Sequence, residues 1–336
     1  MRVLTWYVHG GWMNAFTRID HECVVPSESA PADATGVTRV PEDQLRDAQI
    51  DVVVLQRVED IAETERLLGR RPGRDVPAVF VEHNTPKRSP VDEVHFLADQ
   101  NEIPVVHVTH FNALVWDTGR APTRVIEHGI PDPGALYTGE VASFAVVVNE
   151  PVRRARVVGT DLLPRFAECA PLDVYGIDVD RLRTASGTPG SVRARGDLPT
   201  DALHAELAMR RMYLHAFRWT SLGLSLLEAM SLGMPVIALA ATEAPRAVPP
   251  EAGTISTDVD ALIAAADLLL RDPERARVQG VAAREFAQSR YGMDRFRDSW
   301  NAMLVDAVER CASRHRVRGR RSPVRSLETP MKGRNR

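Results

Sequence analysis

Short apolar runs alternate with amphipathic stretches along most of this sequence. The runs have the length of buried β-strands, and the stretches between them have the spacing of helices that are apolar on one side. This alternation is typical of parallel sheets whose strands are connected by helices. It predicts strands at residues 3–8, 22–26, 51–56, 77–83, 104–109 and 124–128, then at 144–150, 172–177, 212–217 and 234–240, and a final helix from about Met293 to Cys311.

A Gly- and Pro-rich segment, GIPDPGALYTGE, divides this pattern into two halves and has the composition of a linker. We therefore predict an α/β protein with two doubly wound, Rossmann-like domains that face each other across a cleft. The predicted domains span residues 1–133 and 144–312, with the linker at 134–143. The last helix is in a position to pack back on the first domain. Ligands are expected at the carboxyl ends of the strands.

Charge is distributed unevenly between the body of the chain and its last segment. Residues 313–336 carry nine of the 42 Lys and Arg residues but one of the 45 Asp and Glu residues. This composition predicts a disordered basic tail. Two roles stay open for the tail: a solvated extension without a specific partner, or peripheral contact with anionic lipid at the inner face of a membrane. The acidic body has no basic aromatic motif, so nucleic acid is not an expected partner.

The three cysteines, Cys23, Cys169 and Cys311, are far apart and show no paired spacing. This argues against a disulfide framework and against a zinc cluster. No apolar run approaches the ~18 residues of a membrane span. We therefore expect a soluble, cytoplasmic protein.

The stretch RWTSLGLSLLEAMSLGMPVIALA, residues 218–240, joins a strand end to a glycine turn and an apolar helix. Ser225, Glu228 and Ser231 recur every three residues, so they form one narrow polar line on that helix. A carboxylate in apolar surroundings needs a partner, and a ribose diol offers it two hydroxyl donors. The free amides at Leu222–Leu224 suit phosphate oxygens, and Gly223 permits close approach of a ligand. The alternative is that Glu228 lies on a solvated edge of the helix.

The sequence TSLGLSLLEAMSLGMPVIALAATEAPRAV resembles the donor-site signature of retaining family-4 (group 1) glycosyltransferases with the GT-B fold. The family's usual form is Glu-Gly-Phe-Gly-Leu, three further residues, Glu-Ala-Met, then Gly-x-Pro-Val-Val and a loop with proline. Weaker similarities lie at PAVFVEHNTP, IPVVHVTHFNAL and RVIEHGIPDP. The family's first Glu is Thr220 here, which is neutral and shorter but still offers one donor and two acceptor lone pairs. This departure leaves the identity of the sugar open.

The resemblance implies that the second domain binds the nucleotide sugar, and it gives a role to several residues there. Glu228 would bind the ribose, and Thr220 would face the transferred sugar. The backbone of Gly223 and Leu224, with the adjacent Ser221 and Leu222, would meet the diphosphate or the sugar. The family also places an Arg and a Lys after the first strand of this domain. Here Arg153, Arg154 and Arg156 are available, and their spacing does not decide which of them faces the diphosphate.

The resemblance implies that the first domain is the acceptor side, and it points to two short segments there. Gly10 and Gly11 follow the first strand, where the family has a Gly-rich loop that approaches the donor phosphate or the acceptor. His83 is the last residue of the fourth predicted strand, where the family often has a His lining the cleft opposite the donor. The catalytic candidates are therefore His83, Thr220 and Glu228. For His83 the alternative is a side chain that is bonded only to backbone.

The resemblance implies a retaining glycosyltransferase of the hexosyltransferase type that uses a nucleotide-diphosphate sugar, without a metal or another cofactor. The acceptor would be a glycan or lipid, which suits the cell envelope. The departing phosphate would help to deprotonate the acceptor, so the enzyme would contribute positioning and charge stabilisation. Two alternatives stay open: a GT-B nucleotide-sugar epimerase, and a non-catalytic nucleotide-sugar-binding protein, which Thr220 suggests. The sequence does not disclose the base, the sugar, the acceptor or the oligomeric state.

Overall fold

Two parallel β-sheets with connecting helices form the two halves of the chain, as the sequence predicted. The structure is a computed structural model that describes residues 1–185 and 187–320, with residues 317–320 described by their backbone. The helices are α1 (Gly10–Phe16), α2 (Glu59–Leu68), α3 (His110–Val115), α4 (Pro151–Arg154), α5 (Leu163–Phe166), α6 (Thr200–Met209), α7 (Leu224–Leu232), α8 (Ala244–Ala247), α9 (Val259–Arg271), α10 (Pro273–Tyr291) and α11 (Met293–Arg320).

The first sheet lies within the first 125 residues. Its strands are β1 (Arg2–Leu4), β2 (Glu22–Pro26), β3 (Thr38–Val40), β4 (Val52–Leu55), β5 (Ala78–Glu82), β6 (Val105–His107) and β7 (Thr123–Val125). Their order in space is β3-β2-β1-β4-β5-β6-β7, and neighbouring strands are parallel. The order therefore reverses between β1 and β4, which is the switch point of a doubly wound sheet.

The second sheet repeats this arrangement. Its strands are β8 (Val141–Val147), β9 (Leu172–Tyr175), β10 (Val192–Gly196), β11 (Arg210–His215), β12 (Val236–Leu239) and β13 (Gly253–Ser256). They lie in the order β10-β9-β8-β11-β12-β13, again with parallel neighbours. The switch point of this sheet lies between β8 and β11.

The strands that the sequence pattern missed are β3, β10 and β13, and each of them forms an edge of its sheet. A central strand of a parallel sheet is covered on both faces and therefore has a continuous apolar run. The edge strands lack such a run. In β10, Val192 and Ala194 are buried, whereas Arg193 and Arg195 are exposed.

Two predicted boundaries require correction. Strand β8 begins at Val141, so it includes the last three residues of the predicted linker. Helix α11 continues to Arg320, so residues 313–320 are helical rather than part of a disordered tail. Residues 321–336, the rest of the predicted basic tail, lie outside the described residues. Among the described helices, none combines the length and the apolar character that crossing a membrane requires.

Helix α11 packs against the first sheet although it follows the second sheet in the sequence. Phe296, Trp300 and Leu304 lie in one buried cluster with residues of the first domain, and the ring of Trp300 lies 5.0 Å from that of Phe16. The chain thus passes from the second half back to the first after α10. The chain passes between its two halves near Ile130 and again near Gly292, and a parallel β-bridge pairs these two residues.

Because several histidines are buried, we expect the folded protein to lose stability in acid. His107 is fully buried, and burial lowers its pKa to about 4, with the charge of His95 as a smaller cause. An unfolded chain binds a proton near the usual pKa of about 6.5, so stability conferred by the neutral side chain is lost as the pH falls from about 6.5 to about 4. Urea unfolding of the wild type across this range should show a falling free energy of unfolding. In His107→Leu the difference in protons bound by the unfolded and folded states should shrink by about one proton; an unchanged pH dependence would contradict this account of His107.

Candidate functional site

The carboxyl ends of the two sheets face each other, and loops from both sheets touch there. The indole Nε1 of Trp219, after β11, donates to the carbonyl oxygen of Pro86, after β5, at 2.9 Å. The hydroxyls of Thr109 and Ser221 are 3.5 Å apart. The buried carboxylate of Glu243 accepts from the amide of Phe111 at 2.7 Å. Ligands of doubly wound sheets bind at this end, next to the switch point.

Helix α7 begins at the switch point of the second sheet, directly after the loop that follows β11. Gly223 is the residue immediately before the helix, and no side chain caps this end of it. In the described part of the chain, the amides of Leu222, Gly223 and Leu224 donate to no other protein group. Free amides with the positive end of the helix dipole form an anion-binding site. The loop is therefore suited to a phosphate group.

The constraint at Gly223 comes from space rather than from its backbone angles, since its φ is −72°. A Cβ atom at this position would lie 3.0 Å from Cε1 of His215, which is buried beneath the loop. At the other end of α7, Gly233 has φ of +94° and ends the helix in the left-handed conformation that favours glycine. Both glycines of the segment thus fix the position of α7.

Glu228 lies one turn into α7. Its environment is intermediate between the apolar surroundings and the solvated helix edge that the sequence left as alternatives. Its side chain is 23% exposed, so it is neither fully buried nor on an open edge. Its Oε2 lies 3.9 Å from Nε2 of His204 on α6. On the same side of the helix, the hydroxyls of Ser225 and Tyr213 are 2.8 Å apart. The carboxylate therefore has oxygen lone pairs available for a ligand.

The three arginines after β8 differ in their partners, and the structure distinguishes them where their spacing could not. Arg153 and Arg156 are exposed, and they pair with Glu150 and Asp161, respectively. Arg154 is partly buried, and within the described residues its side chain forms no ion pair or hydrogen bond. Burial lowers the pKa of Arg154, with Arg153 as a smaller cause. Arg154 is therefore the arginine of this group that is available to an anion.

The backbone around these arginines is strained. Glu150 and Ala155, on either side of α4, have φ of +54° and +41°. Non-glycine residues rarely adopt such angles, and they cluster at functional sites. The amide of Glu150 is bonded to the carbonyl oxygen of Ile177 after β9, which anchors the turn to the neighbouring strand.

Thr220 and His83 both present a buried polar atom that lacks a partner. In the described part of the chain, neither Thr220 Oγ1 nor His83 Nε2 has a hydrogen bond, so His83 is not held by backbone through that atom. The two residues belong to loops that touch, because Trp219 contacts Pro86. Buried polar atoms are usually satisfied, so these two are candidates for contact with a ligand.

Two other histidines, His9 and His128, lie close to His83. The ring of His83 lies 4.1 Å from that of His9, and burial lowers the pKa of His83 well below the usual value, with His9 and His128 as smaller causes. Burial also lowers the pKa of His128 to about 4. Burial therefore favours the neutral form of His83 and His128. Sequence reasoning missed His128, although it lies within RVIEHGIPDP, one of the segments that resemble the family.

Gly10 and Gly11, the two candidate glycines of the first domain, lie at the beginning of α1 and are exposed. A Cβ atom on Gly11 would lie 2.8 Å from Cδ1 of Leu224, the first residue of α7. Gly10 has no such neighbour within 3.9 Å. The structure thus brings this loop next to the beginning of α7. Within the described residues, no group of three or more His, Cys, Asp or Glu side chains is arranged to hold a metal ion.

Comparison with known proteins gives a family match over the region that carries α7. The model of the family "Glycosyl transferases group 1" matches residues 124–272. The GDP-mannose-dependent alpha-(1-6)-phosphatidylinositol monomannoside mannosyltransferase of Mycolicibacterium smegmatis is 34% identical over 119 residues. That similarity covers 32% of this chain and 31% of the mannosyltransferase, so less than a third of the relative's length is matched.

Two solved structures share the fold over nearly the whole chain. HepE from Anabaena, in complex with UDP, superimposes with a TM-score of 0.66 at 15% identity, covering 91% of this chain and 99% of HepE. Sucrose-phosphate synthase from Thermosynechococcus elongatus gives a TM-score of 0.64 at 15% identity, with coverage of 91% and 98%. At such identities the similarity shows the fold. Residues 124–272 are thus similar to the group 1 glycosyltransferases, on a chain that has the GT-B fold of two facing Rossmann-like domains.

Proposed function

We propose that this protein is a retaining glycosyltransferase that moves a hexose-type sugar from a nucleotide-diphosphate sugar to a glycan or lipid acceptor without a metal. The observation that carries the proposal is the beginning of α7. There the free amides of Leu222, Gly223 and Leu224 lie one turn before the carboxylate of Glu228, at the switch point of the second sheet. The family match over residues 124–272 supports a nucleotide-sugar donor at this place.

The site favours a donor whose leaving group is a diphosphate. The amides at the beginning of α7 and the unpaired guanidinium of Arg154 would hold phosphate oxygens, and their fixed positive charge would stabilise the departing diphosphate. Glu228 would accept hydrogen bonds from the two ribose hydroxyls. These groups supply charge stabilisation from the protein itself, which is why we propose transfer without a metal and without another cofactor.

The sugar would be bound by polar atoms that lack a hydrogen-bond partner, on the two sides of the gap between the sheets. Thr220 Oγ1 can donate or accept one hydrogen bond, and the neutral ring of His83 can donate or accept at Nε2, depending on its tautomer. In the proposed transfer, the bond from the anomeric carbon to the phosphate oxygen breaks and the bond to the acceptor oxygen forms on the same face. The acceptor's proton moves to the departing phosphate.

The two alternatives drawn from the sequence, an epimerase and a non-catalytic binder, are not favoured, because the curated relative is a mannosyltransferase. A role in the cell envelope rests on the family resemblance and stays a prediction. The cytoplasmic setting rests on the three free cysteines, Cys23, Cys169 and Cys311, and also stays a prediction. Membrane contact through the basic tail concerns residues that lie largely outside the described part of the chain.

A donor assay tests the proposal. The full chain is incubated with UDP-, GDP- and ADP-sugars, with water or a panel of methyl glycosides as the acceptor, and proton NMR follows nucleotide release and the anomeric configuration of the product. We expect release of the nucleoside diphosphate from one donor class, with an α-linked donor giving the α-anomer first. A β-anomer formed first would contradict retention. A changed sugar without release of nucleoside diphosphate would identify an epimerase.

A further inference from the structure

Helix α6 carries one polar side chain on a buried face that is otherwise apolar. His204, Leu207 and Ala208 recur at helical spacing and are the buried residues of this helix, which packs on α7. Leu207 is fully buried, and His204 is 8% exposed. Burying an imidazole is costly unless its nitrogens are hydrogen-bonded, so a histidine on this face needs a polar partner.

The free nitrogen of His204 lies next to the carboxylate of Glu228. In the described part of the chain, Nε2 of His204 is buried and has no hydrogen-bond partner. Its distance to Oε2 of Glu228 is 3.9 Å. This is about 1 Å longer than a hydrogen bond between a ring N–H and an oxygen, so a small rotation of either side chain closes it. Hydrogen bonds at functional sites are often long without the ligand and shorten when it binds.

The polar neighbour of Glu228 on its own helix is already engaged. Ser225 lies one turn earlier on α7, and its hydroxyl is 2.8 Å from that of Tyr213, which is fully buried. Among the residues that the structure describes, His204 is the one basic side chain within ion-pair distance of Glu228. His204 is therefore the protein donor that is left for this carboxylate.

A carboxylate that binds a ribose diol has to keep one orientation. It accepts from two neighbouring hydroxyls at once only when both of its oxygens face them, and the terminal torsion of a glutamate has a broad range. A ring N–H bonded to Oε2 occupies one lone pair and leaves the others for the two hydroxyls. Donors that hold a binding group in this way fix its geometry before the ligand arrives.

Burial distinguishes direct contact with a ligand from an effect that passes through Glu228. Nε2 of His204 is buried, whereas the side chain of Glu228 is partly exposed. A ligand therefore reaches the carboxylate but not the imidazole nitrogen. This arrangement suits a residue that orients the carboxylate rather than one that touches the nucleotide.

We propose that His204 is a positioning residue of the nucleotide site: its Nε2–H donates to Oε2 of Glu228 and fixes the carboxylate for the two ribose hydroxyls. The inference rests on the proposed function, because it takes Glu228 as the group that binds the ribose. Its consequence is an affinity that depends on His204 only for ligands that carry the diol.

Calorimetry on the full chain tests this inference with whichever of UDP, GDP and ADP binds most tightly, and with the 2′,3′-dideoxy form of the same nucleotide. His204→Leu removes the donor and should weaken binding of the ribonucleotide about three- to tenfold, as expected for one hydrogen bond. Binding of the dideoxy form should stay unchanged. His204→Gln should retain affinity, because the amide of Gln can place a donor close to the position of Nε2.

The effect of His204→Leu should disappear when Glu228 is already altered. In the Glu228→Gln background it should change ribonucleotide affinity by less than about twofold, because substitutions of two residues that act as a unit are not additive. Leu207→Val is the matched control, since it removes buried surface from the same face of α6 but no polar atom. It should leave the ratio of the affinities for the two forms of the nucleotide unchanged.

The position of the ring proton gives a second readout, on the wild-type protein. Nitrogen–proton correlation NMR of histidine-labelled protein at pH 8, with the signal assigned by His204→Gln, should show the proton of His204 on Nε2 in the nucleotide complex. A proton on Nδ1 would overturn the inference even if His204→Leu does not fold.

The outcomes separate this inference from the proposed function. If the nucleotide binds and Glu228→Gln weakens it while His204→Leu does not, the role of His204 fails alone. Equal losses for the ribonucleotide and its dideoxy form in His204→Leu, or losses that add to those of Glu228→Gln, also overturn it. If no nucleotide binds to the wild type, the proposed function fails and the positioning role fails with it.

Discussion

Glu228→Gln is expected to weaken nucleotide binding about 10- to 100-fold, which corresponds to roughly 1–3 kcal/mol for hydrogen bonds to a charged group. The carboxylate can accept from both ribose hydroxyls, whereas the amide replaces one acceptor oxygen by a donor. The substitution preserves shape, and the side chain is 23% exposed, so the fold should tolerate it. The loss should be present for the nucleoside as well as for the nucleoside diphosphate, because Glu228 is assigned to the ribose.

Calorimetric titration with UDP and GDP measures this effect, and Glu251→Gln serves as the control because Glu251 is exposed at the other end of the same domain. The control should bind nucleotide like the wild type. Equal affinities of wild type and Glu228→Gln would remove Glu228 from the site and, with it, the ribose assignment.

Arg154→Ala is expected to have the second large effect, and this effect should be selective for the diphosphate. A charged hydrogen bond to phosphate contributes roughly 1.5–3 kcal/mol, so affinity for the nucleoside diphosphate should fall about 10- to 100-fold. The nucleoside should bind almost unchanged, because Arg154 is assigned to the diphosphate and Glu228 to the ribose. The unpaired, half-buried state of Arg154 is the physical reason for choosing it over its neighbours.

Arg153→Ala and Arg156→Ala are the matched controls, since both side chains are exposed and already paired with carboxylates. Each should change diphosphate affinity by less than about threefold, because exposed ion pairs contribute little. A larger loss in either control than in Arg154→Ala would reverse the assignment. Equal losses for nucleoside and nucleoside diphosphate in Arg154→Ala would indicate a folding defect instead.

The central strands and α7 could be predicted from the sequence because burial on both faces produces patterns that local reasoning detects. β4, with four fully buried residues in Val52–Leu55, is such a case. The edge strands β3, β10 and β13 could not, because pairing with one neighbour leaves their residues partly exposed and removes the pattern. The length of α11 was also missed: its last turns are highly basic, and their composition resembles that of a disordered tail.

Site residues that belong to a sequence motif could be predicted from the sequence. Residues whose role depends on the ion-pair partners of their neighbours could not. Gly223 and the free amides of α7 followed from the glycine turn before an apolar helix. The choice of Arg154 required knowledge of the partners of Arg153 and Arg156, which lie three and five residues away from their arginines along the chain. The proximity of His204 to Glu228 was not predicted at all, because the two residues lie on separate helices that only the fold brings together.

The central claim is that the beginning of α7 and Glu228 hold the diphosphate and the ribose of a nucleotide. A crystal structure of the full chain with UDP or GDP tests it most directly. We expect phosphate oxygens within hydrogen-bond distance of the amides of Leu222–Leu224 and of Arg154, and the ribose hydroxyls on the carboxylate of Glu228. A nucleotide bound instead in the first domain, or bound with its ribose away from Glu228, would contradict the account.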